Sequence, residues 1–147
     1  MKLVLDLPSD WQVENLADGA YDVRIPHPGD PGDLTMHVSP LAVRDDNLIR
    51  WTERILAAEL GNEIELVGVD DSTTDLGWPV RKLLVQQAGS RYLYAFYHFY
   101  DHIGQVTVSA AKPELLELHL KRLDTMLSRA RPDFSTDEVA ALAQLWT

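Results

Sequence analysis

Cysteine is absent from the 147 residues. That excludes disulfides, thiolate catalysis, cysteine-ligated metal and an acylated lipoprotein anchor. Basic side chains are scarce, 13 against 23 acidic, for a formal net charge of −10. Such a balance argues against general nucleic-acid binding, which draws its affinity from cations that displace counterions. It argues equally against electrostatic docking on anionic membranes. No apolar run approaches the roughly 20 residues of a membrane-spanning helix, so no membrane insertion is expected. The opening, MKLVLDLPSDW, meets Asp6 and Pro8 before a signal-peptide core could form. The chain is therefore expected in the cytoplasm, and its length is that of one domain with a proper core.

Catalytic signatures are missing too. No serine lies in a nucleophile-elbow pattern. The loop His27–Asp33, HPGDPGD, lacks the lysine and the following helix of a phosphate-binding loop. With no nucleophile–base pair, the expectation is a protein that is not an enzyme and uses no cofactor and no metal.

What the chain has is an aromatic hairpin. Arg91–Ala111, RYLYAFYHFYDHIGQVTVSAA, carries four of the five tyrosines and two of the three phenylalanines. Aromatics favour a pleated strand over a helix. On a strand Tyr92, Tyr94, Phe96, His98 and Tyr100 share one face, and Leu93, Ala95, Tyr97 and Phe99 the other. A half-solvated strand would alternate polar with apolar, and this one does not, which predicts a central strand covered on both sides. Asp101–Gly104 suits a type I turn, and Gln105–Ala111 then alternates as the return strand. The five-residue aromatic face has two readings: core beneath helices, or a surface for a protein partner, which tyrosine suits with its apolar ring and polar tip.

Around the hairpin, alternation predicts strands over 2–7, 21–25, 34–43, 64–70 and 80–87. Asp45, Asp46 and Asn47 offer N-caps for a helix over 46–60 that ends at Gly61, with Leu48, Trp51, Ile55 and Ala58 as its stripe. Pro113 opens a helix over 113–129 striped by Leu116, Leu120, Leu123 and Leu127. Ser135 and Glu138 form a capping box for a short last helix whose inner face is Val139, Leu142 and Trp146. Strands, helix, strands, then helices reads as α+β, an antiparallel β-sheet flanked by helices on both faces. Residues 1–134 form the domain and 135–147 a helical extension packed on it. A second function class keeps a small-molecule or enzymatic pocket at the sheet end, near His98, Asp101 and His102. The four-residue histidine spacing would chelate a metal on a helix but loses that mechanism on a strand and turn.

The order of features resembles the PsbP/Mog-like superfamily. Leu7-Pro8-Ser9-Asp10-Trp11 is similar to its "LPxxW" opening, and Leu76-Gly77-Trp78-Pro79-Val80 to its turn into a strand. An aromatic at Trp51 on the first helix, the aromatic hairpin and a Leu-rich helix complete the order over residues 2–134. The resemblance implies an antiparallel sheet between helices, and binding proteins or chaperones more than enzymes. Within the superfamily, the DcrB-like branch includes periplasmic lipoproteins and the cytosolic effector-associated chaperones of type VI secretion, and, lacking a signal and cysteine, the chain is more similar to the second group. Those chaperones are dimers that shield apolar helices of an effector, which implies a homodimer and a protein partner with an apolar segment; the resemblance assigns no binding residue, and the expected surface is the aromatic face of Tyr92, Tyr94, Phe96, His98 and Tyr100.

Overall fold

The computed structural model of the chain describes residues 2–26 and 34–133. The 27–33 loop, the capping box, Trp146 and the 135–147 extension lie outside the described residues. The strands are β1 (Lys2–Val4), β2 (Gln12–Asn15), β3 (Tyr21–Arg24), β4 (Leu34–Val38), β5 (Ala42–Val43), β6 (Glu65–Thr73), β7 (Pro79–Gln87), β8 (Ser90–Phe99), β9 (His102–Ala110) and β10 (Arg131–Asp133). Two helices, α1 (Leu48–Leu60) and α2 (Pro113–Leu127), interrupt them. The main sheet runs β2-β3-β4-β9-β8-β7-β6 with β5 also beside β9, and β1 pairs with β10 apart from it. Every pairing is antiparallel. Among the described residues the fold is thus α+β, an antiparallel sheet with two α-helices.

Alternation along β8 sorts the core into two clusters. Leu93, Ala95, Tyr97 and Phe99 join Leu115, Leu116, Leu123, Met126 and Leu127 of α2, together with β1, β3 and β4, in the larger cluster. Tyr94 and Phe96 join Leu83, Val85 and Leu56 of α1 in the smaller. This is why β8 shows no polar alternation: its neighbours β7 and β9 make it central, and each of its faces meets apolar side chains. Two buried tyrosines keep their hydroxyls satisfied. Tyr97 donates to the Leu127 carbonyl at 2.7 Å, and Tyr21 to the Leu3 carbonyl at 2.6 Å.

Burial pushes the Tyr21 hydroxyl up to about 12 from an ordinary 10.0, and pushes Tyr97 well above the ordinary value too. A raised folded-state pKa means these neutral phenols contribute stability that is fully present below pH ~10 and lost as pH rises from there through the folded values. Denaturant midpoints measured across pH 8 to 12 should hold steady and then fall above pH ~10, and Tyr21→Phe should flatten part of that fall.

Several local expectations are corrected. A strand forms at Gln12–Asn15, where none was predicted, and 34–43 splits at Ser39-Pro40 into β4 and β5. In α1 the buried residues are Thr52 and Leu56, and Ala58 is exposed. The hairpin turns at Tyr100 and Asp101, since Phe99 faces His102, and Tyr100 takes a φ of 57°. Gly104 is consequently not a turn residue but lies in β9 opposite Tyr97. Its role is space: a Cβ there would stand 3.0 Å from Phe99 Cε2 and 3.1 Å from Leu41 Cδ2. Gly104→Ala should therefore cost about 1–3 kcal/mol by overpacking, read as a lower urea midpoint with an unchanged slope.

Candidate functional site

The smaller cluster is an aromatic layer. Tyr92 and Tyr94 have ring centroids 6.5 Å apart, and Tyr94 and Phe96 stack at 5.8 Å with 4° between planes. Residues two apart on a strand stand side by side on one face, so the spacing in sequence builds this ladder directly. Helix α1 lies over it. Asn47 starts the helix by accepting from the Arg50 amide at 2.9 Å, and Gly61, with a φ of 77°, ends it. Leu48, Trp51, Ile55 and Leu60 of α1 are partly buried against the layer.

Polar contacts tie the cover down at its C-terminal end. Tyr94 donates to Glu59 Oε2 at 2.9 Å, and Gln105 Nε2 donates to Glu59 Oε1 at 3.2 Å. Burial, then the neighbouring Glu59, pushes the Tyr94 hydroxyl far above its ordinary value, so it stays a donor. Gln87 Nε2 reaches the Leu60 carbonyl. At the other end Arg54 sits over the Trp51 ring at 4.9 Å and pairs with Asp45 at 2.6 Å. The Trp51 Nε1 and His98 Nε2 atoms are buried without a hydrogen-bond partner.

The five residues of the aromatic face, read as core beneath helices or as a partner surface, are placed differently from one another. Tyr94 and Phe96 are 1% and 0% exposed beneath α1. Tyr92 and His98 are half-buried at either side. Tyr100 leaves the face: its positive φ turns it toward Trp78, whose ring lies 5.0 Å away and packs on the larger cluster. The structure therefore joins Tyr92, Tyr94 and Phe96, flanks them with His98, and separates Tyr100.

His98 and His102 do not converge. His98 faces Ile103 across the ladder, whereas His102 faces Phe99 of the larger cluster, so the two side chains leave opposite faces of the strand pair. His102 Nδ1 instead lies 2.8 Å from Asp101 Oδ1.

Sequence reasoning missed a polar concavity of about 420 Å³ on β2, β3 and β4, lined by Gln12, Glu14, Asp22, Arg24, Thr35 and His37 among others. Its centre is a cross-strand pair, His37 Nδ1 to Asp22 Oδ1 at 2.6 Å. The signal was present as Asp22 and Arg24 alternating with Tyr21 and Val23, and Thr35 and His37 with Leu34 and Met36. It needed the register to bring those polar residues together.

No family model matches the chain, and no curated protein matches it. Among solved structures, it is similar to PA94 from Pseudomonas aeruginosa, a protein of unknown function, at a TM-score of 0.63 and 14% identity, covering 92% of this chain and 100% of that one. It is also similar to the cyanobacterial PsbP (CyanoP) of Synechocystis sp. PCC 6803, at a TM-score of 0.53 and 14% identity, covering 90% of this chain and 93% of that one. The fold of this chain is PsbP-like.

Proposed function

We propose that this chain is a non-enzymatic, cytoplasmic protein-binding module: a chaperone or adaptor that shields an apolar helical segment of a secreted effector. Within the PsbP-like fold it would stand with the DcrB-like chaperones of type VI secretion, work as a homodimer, and hold its sheet between α1 on one face and α2 on the other. The observation that carries this reading is that α1 covers the aromatic layer mainly with partly buried side chains, Leu48, Trp51, Ile55 and Leu60, and is held by polar contacts at its C-terminal end. Of its thirteen residues only Thr52 and Leu56 are buried, whereas α2 buries five, all apolar. Beneath this cover lies a ready-made aromatic layer. An apolar helix that took the place of α1 on Tyr94 and Phe96 would gain the burial α1 gives up, at about 25 cal/mol per Å² before ordering costs. Tyr92, half-buried at the rim, and His98 would border the same seat.

The test is co-purification of the tagged chain from the cells that make it, with proteins identified by mass spectrometry. The reading expects one stoichiometric protein carrying apolar helical segments, lost when Tyr92→Glu places a charge at the rim of the layer. A partner that survives Tyr92→Glu, or a chain that emerges alone, would count against it.

A further inference from the structure

The two edges of the main sheet are unlike. At one end β2 is four residues long and polar at three of them, the short edge that folded proteins use to avoid adding strands. At the other end β6 runs for nine residues, with a bulge between Leu66 and Gly68, and among the described residues it pairs with β7 alone. Its outer side therefore offers a row of backbone N–H and C=O groups. Leu66, Val67 and Val69 on this strand are 52%, 45% and 43% exposed. A Cβ at Gly68 would meet nothing within 4 Å, so the strand's middle stands in open space.

Charge on this edge has one sign. Asp70 lies opposite Lys82, but the Lys82 ammonium is already 2.6 Å from Asp124. Asp70 has instead a bond from the Ser72 hydroxyl at 3.3 Å. Asp71 is paired with Arg81 at 2.6 Å. Among the described residues no cation pairs with Glu65 or Asp70. Val69 and Asp70 are consecutive on the strand and so point to opposite faces.

We infer that β6 is an edge for strand addition, and that its occupant is an extended segment of another protein in which apolar residues alternate with Lys or Arg. Backbone pairing would supply the register. The apolar residues would extend the layer beside Leu66 and Val69, and the basic ones would meet Asp70 and Glu65. A second copy of this chain fits less well, because it would bring an identical acidic edge and a further charge of −10. The edge borders the aromatic layer but is met through the backbone of β6 and not through Tyr94 and Phe96, so its failure leaves the chaperone reading standing.

A fluorescein-labelled decapeptide of alternating valine and lysine, titrated into the full chain by anisotropy, tests this. Binding is expected, with new amide-exchange protection confined to residues 65–73. The double variant Glu65→Gln and Asp70→Asn should weaken it by about tenfold, as two exposed ion pairs would. A valine–glutamate peptide should not bind, and neither should the valine–lysine peptide methylated on alternate backbone nitrogens. Equal binding of the methylated peptide would reduce the contact to charge alone and overturn the proposal. So would the absence of binding, protection elsewhere, or a mass that doubles with concentration while β6 is protected without peptide, which would give the edge to a second copy.

Discussion

Tyr97→Ala is expected to be the most damaging single truncation in the chain, lowering unfolding free energy by about 3–5 kcal/mol for the lost ring and its cavity. The ring is 0% exposed and stacks on Phe99 at 5.6 Å in the larger cluster. The same substitution removes the shorter of two bonds to the Leu127 carbonyl at the end of α2, the other coming from the Ala130 amide. The carbonyl keeps the Ala130 amide at 3.3 Å, so the lost hydroxyl bond adds about 1 kcal/mol. Against a typical total of about 5–15 kcal/mol, that combined loss is enough to leave much of the protein unfolded. Tyr97→Phe separates the contributions: it keeps the ring and should lose only the second. Urea denaturation followed by far-ultraviolet circular dichroism measures both, and a Tyr97→Ala protein as stable as the parent would mean that α2 is not held as described.

Phe96→Ala should be the second largest loss, at the lower end of the same range, about 3 kcal/mol. Phe96 is equally inaccessible, at 0%, yet its cavity would open beneath α1 and not within the larger cluster. The cost of such a cavity depends on how far its walls can collapse into it, and a helix with two buried residues is freer to settle than one with five. The variant is therefore expected to remain folded at 25 °C, with amide protection reduced in α1 and kept in α2. Two core residues of similar size on neighbouring positions of one strand would thus differ in cost because different helices cover them. Phe96→Ala losing as much as Tyr97→Ala would show that α1 is as firmly seated as α2.

The strands that carry clear alternation were legible from the sequence, as was the helix opened by Pro113, because periodicity and capping are local. That β8 is central was also legible, since its residues are apolar on both faces. The turn was not. Asp101 and Gly104 read as a type I turn by composition, but the backbone reverses at Tyr100, a residue that rarely takes a positive φ, and Gly104 serves packing against Phe99 and Leu41. The strand Gln12–Asn15 was hidden because its four residues are all exposed, leaving no apolar pattern to find. The aromatic ladder was legible as a face, and cover over it was one of the two readings, but which helix supplies that cover was not legible. Whether a face is open depends on where a helix forty residues earlier comes to lie, and no local pattern carries that. The same holds for His98 and His102, four apart in sequence yet divided by the sheet.

The central claim is that α1 gives up its place on Tyr94 and Phe96 to an apolar helix. Hydrogen exchange of the full chain, with and without a synthetic alanine–leucine helical peptide, tests it most directly. The account predicts that the peptide binds, that the amides of residues 48–60 lose protection as it does, and that those of α2 are unchanged. Binding with α1 protection retained or increased would contradict the account, because the peptide would then be sitting somewhere other than on the aromatic layer; no binding at all would contradict it outright.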